Sequence, residues 1–308
     1  MNNFLQDVTE SLAKSHKSIP SKYFYDEKGS RIFQEIMTLE AYYLPRCEME
    51  ILEQSAAAIL SHFNDQNMDF IDLGAGDGSK MISFLRQVHH KLNAPSYIPM
   101  DISPEILKVN QNLIQNAIPN LDILAIPGDY FVSTHQIKQR PNPMVVMYMG
   151  SNIGNFRLEE AVEFLRFIND FLNKGDFLLM GVDLKKDPST IQAAYNDKEG
   201  VTKKFNLNLL ERINRELGAN FNLDLFDHYG TYNPSSGEAQ SYLISLEEQL
   251  ISIAEKKYHF EKFETIHTEI SRKFSLVELN DMGHESGFTW NKHFLDSKAF
   301  FSLSLFRK

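Results

Sequence analysis

MDFIDLGAGDGSK, residues 68–80, decides the fold. Its first half is a short apolar run that ends in glycines, and its second half opens the helical pattern SKMISFLRQVHHKL. An apolar run of that length, closed by a turn and followed by a helix, reads as a strand buried in a parallel sheet. The same rhythm continues along the chain. SYIPMD (96–101), LDILAI (121–126), PMVVMYMG (143–150) and GDFLLMGVDL (175–184) are further strand candidates, with SPEILKVNQNLIQNA and RLEEAVEFLRFINDFL between them. In the last of these helices Ala161, Phe164, Leu165 and Ile168 fall at i, i+3, i+4 and i+7, one apolar face. Five buried strands with helical crossovers imply an α/β sheet covered on both faces.

After Asp183 the alternation stops, and roughly a hundred residues pass before the strand pair GFTWNKHFLD (287–296) and AFFSLSLF (299–306). One crossover seldom needs so much chain. The intervening segment, with TKKFNLNLLERINREL (202–217) and AQSYLISLEEQLISIA (239–254), reads as an insertion with its own helices and strands. The first residues also lie outside the sheet pattern. The expectation is a discontinuous α+β unit made of 1–60 plus 188–274, beside a sheet domain made of 61–187 plus 275–308.

Composition bounds the function. The chain has 308 residues, 43% hydrophobic and 23% charged, so it can bury a large core and is not a disordered chain. Its net charge of −10 argues against a broad grip on nucleic acid or on an anionic membrane. Cys47 is the one cysteine, which excludes an intrachain disulfide and a cysteine metal cluster. The histidines show no metal-binding spacing, the N-terminal stretch has no apolar signal region, and no run reaches the ~20 apolar residues of a membrane span. A cytoplasmic, metal-free monomer without nucleic-acid or membrane partners is expected.

The chemistry begins at the glycines. Gly74, Gly76 and Gly78 alternate after the first strand, where the backbone can approach a ligand and helix amides stand free. An acid, Asp101, closes the second strand. The dinucleotide fingerprint G-x-G-x-x-G/A lacks its third glycine here. Asp72-x-Gly74-x-Gly76-x-Gly78 instead resembles the first motif of S-adenosylmethionine-dependent methyltransferases. That resemblance implies a Rossmann-like class I methyltransferase sheet, seven-stranded with a C-terminal antiparallel hairpin, and S-adenosyl-L-methionine as cofactor. It places Asp101 at the ribose hydroxyls and Asp129, followed by Tyr130, near the adenine. A carboxylate suits a diol because it accepts two hydrogen bonds.

Longer motifs narrow the family. KYFYDEKGSRIFQEI–LEAYYLPRCEMEIL (22–52), MGSNIGNF (149–156), AAYNDKEGVTKKFNLNLLERINREL (193–217) and HTEISRKF (267–274) resemble the histidine Nα-methyltransferases of ergothioneine biosynthesis. The likeness runs from about Pro20 to Phe306. That family has a split substrate-binding domain and trimethylates the α-amino group of histidine to hercynine. The resemblance implies that Tyr42 faces the substrate and Tyr25 lies near the imidazole. It puts Gly150 beside the reacting amine, and gives the amino-acid backbone to Asn155 and Tyr195. Glu269 and Ser271 would hydrogen-bond the imidazole, and Lys80 would meet the cofactor's carboxylate. Tyr42, Gly150 and Asn155 are the candidate catalytic positions.

Plainer roles exist for single residues: Tyr42 as a packed core tyrosine, Asn155 as the cap of the helix that follows it, Glu269 and Ser271 as one ordinary strand face. Their occurrence together, in family order, favours the site. The chain departs from the family in one stretch. Where relatives that read histidine carry R-I-E-M, it has Glu238-Ala239-Gln240-Ser241, so small, polar Ser241 replaces an apolar methionine against the imidazole. Methylation of another amino acid or amine, such as a tryptophan derivative, and a cofactor-binding protein without catalysis are the alternatives.

Overall fold

The computed structural model describes residues 3–63, 67–138 and 140–308. It divides into two compact units, Met1–Tyr43 with Lys185–Arg272, and Leu44–Leu184 with Lys273–Lys308. The first boundary falls at 43/44, so the helix Leu44–Gln54 lies in the second unit rather than with the N-terminal residues.

Among the described residues the chain forms thirteen strands: β1 Asp69–Leu73, β2 Ser96–Asp101, β3 Asp122–Ile123, β4 Ile126–Pro127, β5 Met144–Tyr148, β6 Phe177–Asp183, β7 Phe226–Asn233, β8 Glu238–Ser245, β9 Gln249–Ile253, β10 Lys256–Phe260, β11 Thr265–Arg272, β12 Thr289–Leu295 and β13 Phe301–Arg307.

The Leu44–Leu184/Lys273–Lys308 unit carries one eight-stranded sheet, in the order β12-β13-β6-β5-β1-β2-β3, with β4 also on β2. The neighbours from β6 to β4 run parallel, while β13 lies antiparallel to both β6 and β12. Every residue of β1, β5 and β6 is buried, as expected of strands covered on both faces. The sheet has one strand more than seven because the predicted 121–126 strand splits. Leu124 donates to Tyr97 O, and two-residue bridges stand on either side.

Strand order reverses at β1. The chain runs outward through β2 on one side and through β5 and β6 on the other. Ligands of open α/β sheets bind at the carboxyl ends of the strands flanking such a point. The segments in that position follow β1 (Gly74–Lys80) and β5 (Met149–Asn155).

The other unit packs helices on a three-stranded antiparallel sheet, β11-β8-β7, with β9 and β10 as a separate hairpin. Along β8 burial alternates residue by residue, so the sheet has one covered face. Its core joins the N-terminal segment to the insertion. Phe24 stacks on Phe205 with centroids 4.5 Å apart, and Asp26 accepts from Asn208 Nδ2 at 2.9 Å. The helix Pro188–Tyr195 lies so close to β7 that a Cβ on Gly230 would stand 2.4 Å from Tyr195 O.

Candidate active site

The glycine segment is built by backbone conformation. Gly74, Gly76 and Gly78 have φ of 71°, 56° and 74°, the left-handed region that glycine enters without steric cost. The amides of Gly74 and Ala75 donate to Met100 O at 2.8 and 3.1 Å, which ties the turn to the end of β2. Asp101 finishes that strand. Its Oδ2 accepts from Gly76 N at 3.0 Å and its Oδ1 from Ser103 N at 3.1 Å. A Cβ on Gly76 would meet nothing within 4 Å, so the loop faces open space at its midpoint.

A buried polar chain supports the loop. Asn110 is completely buried, donates to Gly76 O at 3.0 Å, and fills the place a Cβ on Gly78 would take, 2.6 Å from its Nδ2. Tyr97 donates to Asp72 Oδ2 at 2.9 Å. Burial pushes the Asp72 carboxyl up to about 6, against the pull of Lys80 and the Tyr97 hydroxyl.

After β5, Gly150 and Ser151 are both left-handed, with φ of 75° and 58°. Gly150 N donates to Glu48 Oε1 at 2.6 Å, and Lys80 Nζ donates to Glu48 Oε2 at 3.1 Å. Burial disfavours the Lys80 ammonium, but the Glu48 and Asp72 charges outweigh it and hold its pKa above the ordinary lysine value. Ser151 Oγ accepts from Asp183 N at 2.9 Å, and Asp183 is ion-paired at 2.9 Å with Lys273, both fully buried. The last two residues of HTEISRKF are thus structural: Lys273 neutralises Asp183, and Phe274 N donates to Asp183 O.

Asp129 lies beyond Asp101 through the bond from Gly128 N to Asp101 O, 2.9 Å. It caps the short helix Tyr130–Ser133 by accepting from Phe131 N at 2.9 Å, and is itself exposed. Tyr130 shares a hydrogen bond with Tyr148, and burial pushes both phenols up. Ile102, next to Asp101, is 78% exposed.

Asn155 ends the short 3-10 turn Asn152–Asn155 and is exposed. It does not cap the helix Leu158–Phe171. Arg157 holds the N-cap position there, and Glu160 reaches back to Arg157 N at 2.9 Å.

In the Met1–Tyr43/Lys185–Arg272 unit ring contacts link Tyr25, Phe33, Tyr42 and Tyr195, a hydrogen bond links Tyr195 to Ser271, and strand register pairs Glu269 with Ser241. Tyr42 meets Tyr195 edge-to-face at 6.1 Å and Phe33 at 6.3 Å; Phe33 in turn meets Tyr25 at 5.5 Å. Its neighbour Tyr43 is buried and accepts from Lys186 Nζ at 2.8 Å, which separates the two adjacent tyrosines into different environments. Tyr195 Oη and Ser271 Oγ are hydrogen-bonded at 2.8 Å. Register places Glu269 directly across from Ser241, and Ser271 across from Ala239. A shift in the pairing between His267 and Glu269 resets the alternation just before these positions. Tyr25 is 47% exposed, yet desolvation of its hydroxyl and the Glu269 charge push its pKa upward. Ser241 is fully buried, and its hydroxyl has no hydrogen-bond partner among the described residues.

Glu48 and Asn110, which hold Lys80, Gly150 and Gly76 by hydrogen bonds, carry no local sequence signal. Among the described residues no group of His, Cys, Asp and Glu could hold a metal, and no helix is long and apolar enough to cross a membrane.

A doubly covered sheet with a switch point, an open left-handed glycine loop and an acid ending β2 define a class I S-adenosylmethionine-dependent methyltransferase. The donor set fits that cofactor: Gly76 leaves room that a side chain would fill, Asp101 is an acceptor for a diol, and Lys80 is a cation for a carboxylate. The magnesium protoporphyrin IX methyltransferase from Synechocystis PCC 6803 with bound SAH superposes with a TM-score of 0.50, covering 94% of this chain and 97% of that one, at 11% identity. That likeness concerns the fold alone. The chain belongs to the histidine-specific, SAM-dependent methyltransferase family, which it matches over residues 4–308. Two relatives are named histidine N-alpha-methyltransferase. The one from Mycobacterium tuberculosis is 31% identical, over 98% of this chain and 94% of its own. The one from Mycolicibacterium smegmatis is 33% identical, over 97% and 93%.

Proposed function

We propose that this enzyme transfers methyl groups from S-adenosylmethionine to the α-amino group of L-histidine, three times in succession, to give hercynine. The observation that carries the reading is Glu269, placed across the sheet from Ser241 and close enough to Tyr25 to raise its pKa. A carboxylate beside aromatic rings accepts the N–H of an imidazole and pairs with an imidazolium.

The bound cofactor supplies a methyl group already activated on a cationic sulfonium. The protein's part is position and desolvation. In this reading Asp101 and Asp129 hold the nucleoside, and Lys80 meets the carboxylate. Tyr42, Asn155 and Tyr195 orient the amino acid. Gly150 presents no side chain to the amine, so successive methyl groups can be admitted. A free α-ammonium loses its proton near pH ~8–9, within reach of bulk water, so a strong dedicated base is not required.

Ser241 favours a second reading, an α-amino methyltransferase for a different side chain. A buried serine hydroxyl stands where the family's histidine readers carry a methionine, which leaves more room and a more polar wall. Competition among all twenty amino acids for methyl-labelled S-adenosylmethionine separates the two. Histidine should take most of the label. Preference for an amino acid with no side-chain N–H would reject histidine and retain the α-amino reaction.

A further inference from the structure

Glu48 stands on the helix Leu44–Gln54 with 2% of its surface exposed. A buried carboxylate is costly unless its oxygens find partners. Both are engaged: Oε1 by the amide of Gly150 at 2.6 Å, Oε2 by the ammonium of Lys80 at 3.1 Å. The chain makes room for it at Gly181, where a Cβ would lie 2.3 Å from Oε1 and 3.3 Å from Gly150 N. One carboxylate therefore joins the segment after β1 to the segment after β5, the two that flank the switch point. The side-chain exposures differ in a telling way, 3% for Glu48 against 33% for Lys80. An ammonium has three donors. Glu48 takes one from its buried side, and the open side of Lys80 can still meet a second acceptor.

We propose that Glu48 is a positioning residue for the methyl-transfer site. It aims the Lys80 ammonium at the carboxylate of the cofactor's amino-acid end, and with its other oxygen fixes the turn that carries Gly150. Glu48 touches neither ligand. The inference rests on the reading of Lys80 as the partner of that carboxylate. Its consequence is selective: Glu48 strengthens binding of ligands that carry the amino-acid end and does nothing for those that lack it.

The test is calorimetry on the full chain with two probes, S-adenosylhomocysteine and 5′-methylthioadenosine, which keeps the nucleoside and the sulfur but has no carboxylate. The proteins are wild type, Glu48→Gln, Lys80→Met and the double variant. Glutamine preserves an acceptor for Gly150 N and removes the charge. Glu48→Gln should weaken S-adenosylhomocysteine by about tenfold or more, the scale of one charge-assisted hydrogen bond, with methylthioadenosine unchanged. The double variant should bind S-adenosylhomocysteine no more weakly than Lys80→Met alone. Equal weakening of both probes, or additive losses in the double variant, would overturn the proposal. If Lys80→Met leaves the preference for S-adenosylhomocysteine intact, the reading of Lys80 fails first and takes the inference with it. If Glu48→Gln does not fold, Glu48→Asp, too short to reach both partners, gives the same comparison.

Discussion

Asp101 has two duties that a substitution separates. Its Oδ2 closes the glycine loop at Gly76 N, and in the proposed function it also accepts from the ribose diol. Asp101→Ala should weaken S-adenosylhomocysteine by about 1.5–3 kcal/mol, the range for a hydrogen bond to a charged group; unchanged affinity in calorimetry would remove it from the cofactor site. Two buried groups make stability depend on pH in opposite senses. Asp72 has a folded pKa raised to about 6 by burial, so its protonated form is favoured on folding. Its cost is absent at low pH and grows as pH rises from about 4 to 6, reaching about 2–3 kcal/mol. Asp72→Asn should therefore gain on wild type across that window and hold a constant lead above it. His228 has its pKa lowered to about 4 by burial, and its Nε2 has no partner among the described residues. Wild type loses this contribution as pH falls from about 6.5 to 4, so His228→Phe should gain on wild type in the acid direction by about 3 kcal/mol. Thermal melts of each variant against wild type at matched pH read both slopes. A flat difference would contradict the assigned cause.

The turns and packed helices carry predictions of their own. Asn155 sits outside the cap of the helix Leu158–Phe171, which Arg157 and Glu160 begin. Asn155→Ala should cripple methylation while leaving the melting temperature and S-adenosylhomocysteine affinity near wild type; a joint fall of all three would make the residue structural. Gly230 has no room for a Cβ against Tyr195 O. Gly230→Ala should push the helix Pro188–Tyr195 off the sheet, cost about 1–3 kcal/mol as overpacking does, and raise the KM for the amino acid, because Tyr195 moves with its helix. At this scale the sequence was legible where signals are local. Strand–glycine–helix punctuation marked β1 and its loop, and the 3.6-residue repeat marked Leu158–Phe171. The 121–126 run misled, since apolar content cannot show that Leu124 turns to Tyr97 O and splits the strand. Glu48 was invisible because its partners are 32 and 102 residues away. No local pattern distinguishes such a glutamate from a solvated one on an amphipathic helix.

For the whole molecule, the division into two units follows from where the chain interrupts its own sheet. The insertion leaves after β6 and returns before the helix Leu276–Glu285, and its core is completed by the N-terminal segment. The broken alternation marked where the sheet pattern stops after β6, whereas the pairing of β11 with β8, which sets Glu269 across from Ser241, needed three-dimensional register. The proposed reaction is the transfer of methyl groups to the α-nitrogen of histidine. It is tested most directly by tandem mass spectrometry of the product formed from histidine and methyl-labelled S-adenosylmethionine. The expected product carries three labelled methyl groups, all on the fragment that retains the α-nitrogen. Label on the imidazole fragment, or no label on histidine while another amino acid is methylated, would contradict it.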